Sequence, residues 1–163
     1  PVSGLWIPVG IRYSGCGCKD ESGNPIEIDP DMLGRMFCNF VQKILSRHGY
    51  VTVVYADSAE QTLIAGIRSS LRKNGLGWIR VENALKTEIN DRINATSILM
   101  AQGRFAYMDG ECDSLVNALC TAVWDPKELT KNVRLDDGTS DIDSLDSFEY
   151  TIERQISQLI RYG

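Results

Sequence analysis

The sequence predicts an α/β domain: a mixed sheet with a largely parallel centre, flanked by helices. Three observations lead there. Short continuous apolar runs alternate with longer stretches in which apolar residues recur every three or four positions. The run from Tyr50 to Ala56, "YVTVVYA", is apolar almost throughout, which marks a central strand covered on both faces. No internal repeat or low-complexity tract breaks the alternation, so strands joined by right-handed helical crossovers are expected. At 163 residues and 43% hydrophobic content, the chain suits one globular domain with its own core.

The elements follow in order. "GLWIPVGIRY" (4–13) reads as a strand, with Pro8 marking an edge or a bulge, and "IEI" (26–28) as its return after the turn "KDESGNP". "DPDMLGRMFCNFVQKILSRHG" (29–49) is a helix opened by Asp29 or Asp31. Its expected apolar face is Met32, Met36, Phe37, Phe40, Val41, Ile44 and Leu45. The central strand comes next, then "SAEQTLIAGIRSSLRKNG" (58–75), a helix with a Ser58/Gln61 capping box that stops near Gly75. "GWIRV" (77–81) is a short strand, 86–102 a third helix, "RFAYM" (104–108) another strand and 111–124 a fourth helix. A polar loop, "DPKELTKNVRLDDGTS", leads to a last helix from about Asp141 to Arg161. Trp6, Trp78 and Trp124 read as core or core-edge residues.

Composition narrows the function. The net charge of −5 argues against a simple nucleic-acid coat but suits an acidic site that holds cations. Five cysteines, with Cys16 and Cys18 too close for a zinc knuckle and His48 the sole histidine, argue against zinc. Free thiols in a reducing compartment fit better. No stretch reads as a signal peptide or a membrane span, and a chain opening on Pro-Val-Ser is expected to be part of a longer protein.

Carboxylates at two places carry the chemistry. Asp57 stands just past the carboxyl end of the central strand, where open α/β sheets form their sites. With Ser58 and Gln61 assigned to the cap, Asp57 is spare, and an acid there needs a partner or a cation. In "SDIDSLDSFEY" (140–150), Ile142, Leu145, Phe148, Ile152, Ile156, Leu159 and Ile160 form one apolar stripe, and Asp143, Asp146, Ser147 and Tyr150 gather on its flank. Acids at a strand end and on a final helix suit Mg²⁺ or Mn²⁺, which prefer oxygen ligands. The same acids also serve a helix dipole, and Ser140 with Asp143 could be a capping pair.

Taken in order, "YADSAEQTLI", "NALKTEINDRI", "LMAQGRFAYM", "CDSLVNALCTAVWD" and "DIDSLDSFEY" resemble the carboxyl-terminal nuclease domain of phage terminase large subunits. Asp57, Ala59 and Glu60 match that family's strand-ending motif, Ala84 and Lys86 its Ala-x-Lys stretch, and Asp146 and Tyr150 its final helix. The triplet Asp141-Ile142-Asp143 departs from the family's Asn-Asp-His, and Ser147-Phe148-Glu149 from its Ala-x-Arg. The resemblance implies an RNase H-like fold and a single nuclease domain over 1–163. It implies two-metal cleavage of concatemeric double-stranded DNA, with Asp57 and Asp143 as catalytic metal ligands and Asp146 and Asp141 as lesser ones. Lys86 is the first candidate phosphate contact. Arg68, Arg72 and Lys73 cluster at one helix end, with Arg92 and Arg104 further on. The first strand of that fold carries an Asp. None precedes Asp20 here, so that strand is expected upstream of Pro1.

The same resemblance implies partners: a terminase ATPase domain, a small terminase subunit and a portal, in the host cytoplasm during virion assembly. The ATPase itself is absent from this chain, which has no G-x-x-x-x-G-K-[ST] loop. Two other readings stay open: a resolvase- or transposase-type strand transferase, and an RNase H-like scaffold that binds DNA or a protein without catalysis.

Overall fold

A computed structural model describes residues 29–59, 61–128 and 131–162. The expected strands at 4–13 and 26–28, and Trp6, lie outside the described residues. Two compact units divide the chain, one ending at Asn83 and the other resuming at Ala84.

The described part of the first unit opens on helix α1, Pro30–His48. Asp29 opens it by accepting the Met32 N–H at 2.6 Å, and Pro30 takes the first helical position, where a missing N–H costs nothing. Gly49 closes it at φ 101°, a conformation glycine adopts without penalty. The buried stripe is Gly34, Cys38 and Val41, flanked by Phe37 and Leu45. It is rotated from the expected face: Met32, Met36, Phe40 and Ile44 are only half-buried. Gly34 sets the rotation, because a Cβ there would lie 2.9 Å from the Ser70 Cβ of the neighbouring helix. Strand β1 (Val53–Ala56), helix α2 (Gln61–Lys73) and strand β2 (Arg80–Asn83) form a β–α–β unit. The strands pair in parallel, Val53 opposite Arg80 through Ala56 opposite Asn83. The parallel pairing matches expectation. All four β1 residues are half-buried, short of the two-sided burial expected from their apolar run. Ile64, Leu71, Leu76, Ile79 and Val81 complete the core with Cys38 and Val41.

Among the described residues the second unit is mainly helical: α3 (Ile89–Ala101), α4 (Asp113–Thr121), α5 (Ile142–Ile152), a 3₁₀ turn (Glu153–Gln155) and α6 (Ile156–Tyr162). Helix α3 packs on α5 and α6, and α4 on α5. The apolar stripe expected on the last helix forms the core. Leu145, Phe148, Ile152, Ile156 and Leu159 are buried with Ala95, Leu99, Leu115 and Ala118, and only Ile160 turns outward. Of the expected strand at 104–108, Phe105 alone is in a β-bridge, and its ring meets Phe148 edge-on at 5.3 Å. The loop before α5 folds back on itself, where Trp124 and Arg134 form an isolated antiparallel bridge. Trp78 and Trp124 are exposed rather than core. Cys38 and Cys112 are buried free thiols, each pushed up in pKa chiefly by that burial. Among the described residues no helix is long and apolar enough to cross a membrane.

Candidate functional site

Asp57 lies directly after β1, half-buried, in the turn that leads into α2. Its Oδ1 accepts the Ala59 N–H at 2.8 Å, and the Gln61 side-chain amide donates to the Ser58 carbonyl at 2.7 Å. The lead-in is therefore an Asx turn made by Asp57 itself, and Asp57 is not spare as the capping-box reading expected. The turn fixes the carboxylate at the carboxyl end of a parallel strand. On α2, Arg68 donates to the Val81 carbonyl at 2.8 Å and so ties the helix to β2, whereas Arg72 and Lys73 are exposed in the last turn.

In the second unit, α5 opens on Asp141, whose Oδ1 accepts the Ser144 N–H at 3.0 Å. The hydroxyls of Ser114 and Ser144 both donate to its Oδ2. Burial alone would push the Asp141 carboxyl up. The hydrogen bonds from Ser114 and Ser144 outweigh it and hold the pKa below the usual aspartate range. The cap is Asp141 and not Ser140. Asp141→Ala is expected to cost about 1 kcal/mol, read by urea unfolding at neutral pH. A lowered folded pKa stabilises at all pH above the unfolded value near 3.9, and that stability is lost as pH falls through the folded value. The acid limb of the wild-type stability curve should accordingly flatten in Asp141→Asn.

Asp143, one position into the first turn, is exposed. Asp146 is held. Its Oδ1 takes Arg92 Nη1 at 3.1 Å and Arg134 Nη1 at 3.0 Å. Glu149, 1% exposed, completes the cluster, 2.9 Å from Arg92 Nη1 and 2.5 Å from Arg134 Nη2. Arg92 is thus a buried partner of two carboxylates rather than an open phosphate contact. Sequence reasoning missed Arg134 and Glu149. Glu149 follows Phe148 on the stripe and was legible only as an acid at an apolar position. Arg134 sits in the polar loop, where no periodicity marks it.

Lys86 lies between β2 and α3 at φ 53°, with its side chain exposed. The residues on either side of it are gripped by one carboxylate: Glu153 accepts the Leu85 N–H at 2.8 Å and the Thr87 N–H at 3.0 Å.

The donor set tests the fit of a divalent cation. Asp141 already binds two serines, and Asp146 faces two guanidiniums, whose charge repels a second cation. Neither suits a metal ligand. Among the described residues no three His, Cys, Asp or Glu side chains gather as a metal-holding group. Asp57, in the first unit, and Asp143, in the second, are the two acids that the resemblance put first as ligands. The chain matches no family model, no curated protein and no solved structure.

Proposed function

We propose that this chain is a metal-dependent endonuclease for double-stranded DNA, of the kind that cuts concatemeric viral genomes during packaging. The observation that carries the reading is Asp57, held by its Asx turn directly after the first strand of a parallel β–α–β unit. Asp143, exposed on a helix whose opposite face is buried, and the order of motifs along the chain support it.

Mg²⁺ or Mn²⁺, when bound, would activate a water for attack on phosphorus and stabilise the departing 3′ oxygen. Asp57 and Asp143 are assigned as the protein's cation ligands. Asp141 and Asp146 instead fix the start of α5, the first as its cap and the second through its arginines. Lys86, Arg72 and Lys73 are assigned to phosphates, while Arg68 and Arg92 hold the two units' own structures. The RNase H-like fold, a packaging ATPase, a small subunit and a portal as partners, and action in the host cytoplasm belong to the same reading.

The test is cleavage of supercoiled plasmid. Nicking and linearisation are expected with Mn²⁺ or Mg²⁺, none with a chelator, and loss of cutting to background in Asp57→Asn, which removes a charge and little volume. Preference for branched junctions would favour a resolvase. Binding without cutting would favour a scaffold. Cutting by Asp57→Asn at the wild-type rate would sink the reading.

A further inference from the structure

We infer that Glu153 is a positioning residue that holds Lys86 ready for a phosphate of duplex DNA, an inference that rests on the nuclease reading above. Lys86 is the sole non-glycine residue with positive φ among those described. L-residues with a long side chain seldom take that conformation, so the surroundings must impose it. Two hydrogen bonds do so. The Glu153 Oε2 accepts from Leu85 N and its Oε1 from Thr87 N, with the Thr87 hydroxyl also reaching Oε1 at 3.4 Å. The peptide groups before and after Lys86 are thereby clamped by a single side chain.

Apolar packing does not explain the loop. Leu85 is 51% exposed, and only Ala84 before it is buried. Glu153 itself is 4% exposed, and burying a carboxylate is costly unless its oxygens are bonded. Here that buried charge is satisfied mainly by fixing two flanking amides. Glycine or asparagine would fill a purely structural φ > 0 position more easily. A lysine there, with its side chain exposed, fits a held cation better than a turn. Leu85, Thr87 and Glu153 line a groove of about 460 Å³ together with Asp91, Arg154 and Arg161.

Charge alone and positioning give opposite signs, and this makes the test sharp. Glu153→Gln removes a negative charge, so simple electrostatics tightens DNA binding. Positioning weakens it. The measurement is fluorescence anisotropy of a short mixed-sequence duplex with the whole chain, in chelator, between about 50 and 200 mM salt. Lys86→Met should weaken binding about fivefold to tenfold near 0.1 M salt and reduce the salt slope by about one. Glu153→Gln should weaken it by a similar factor, and the double variant should bind no worse than either single one. Amide exchange at Leu85 and Thr87 should speed up in Glu153→Gln while that of α3 stays unchanged. Thr87→Pro provides a second route, because it removes one clamped N–H and drives Lys86 out of the left-handed region without changing net charge. It too should weaken binding. If Lys86→Met weakens binding but Glu153→Gln and Thr87→Pro bind as tightly as wild type or tighter, the positioning role is wrong and the nuclease reading survives. If Lys86→Met binds like wild type, Lys86 is no phosphate contact and the inference falls. If the wild-type chain does not bind duplex DNA, both fall.

Discussion

Glu149→Ala is expected to destabilise the helical unit by about 3–5 kcal/mol. Glu149 is 1% exposed, and both arginines it pairs with, Arg92 and Arg134, are buried. Removing it leaves two guanidiniums in the interior with only Asp146 between them, whose side chain is 31% exposed. The cost is the desolvation of unpaired charge more than the loss of two bonds. Asp146→Asn should therefore cost less, about 1–2 kcal/mol, because water reaches that side of the cluster and Glu149 still pairs with both arginines. Replacing Arg92, Arg134 and Glu149 together with methionine, methionine and leucine should restore most of the loss, since a buried ion cluster is seldom more stable than a well-packed apolar one. Urea unfolding followed by circular dichroism, with amide exchange in α3 and α5, separates these three outcomes. A single Glu149→Ala loss below about 1 kcal/mol would mean that the cluster is solvated and the burial argument fails.

How far the sequence could be read depended on the kind of signal. The helices α1 to α4 and the stripe that became Leu145, Phe148, Ile152, Ile156 and Leu159 were legible because their periodicity and caps are local. The parallel β1–β2 pair followed from strand–helix–strand order. The missed features depend on distant partners. "RFAYM" looks β-like, but only Phe105 is in a β-bridge, and its ring packs on the distant Phe148. Asp141 was legible as the cap, because on a continued helix it would point towards the stripe. Asp143 and Asp146 look alike in the sequence, and the structure separates them into an exposed acid and an arginine partner, because guanidiniums hold Asp146. Arg92 looked like a phosphate contact, and the buried Glu149 that it pairs with shows otherwise. Glu153 grips a loop 66 and 68 positions away, which no window along the chain could reveal.

The second large effect concerns cations at Asp57 and Asp143. If these carboxylates hold Mn²⁺, the metal binds the folded chain and not the unfolded one, and adds about 2.7 kcal/mol when it is present at a hundredfold excess over its dissociation constant. Neutralising either acid should erase that gain. Asp141→Asn and Asp146→Asn should keep it, because those acids are already bound to serines and arginines. First-turn acids that serve only the helix dipole behave differently. Each is worth about 0.3–1 kcal/mol whether metal is present or not. The deciding measurement is a set of melting curves, with and without Mn²⁺, for wild type, Asp57→Asn and Asp143→Asn. The nuclease reading expects a metal-dependent rise in the wild-type midpoint that vanishes in both variants. Equal shifts in all three proteins, or none in wild type, would contradict it.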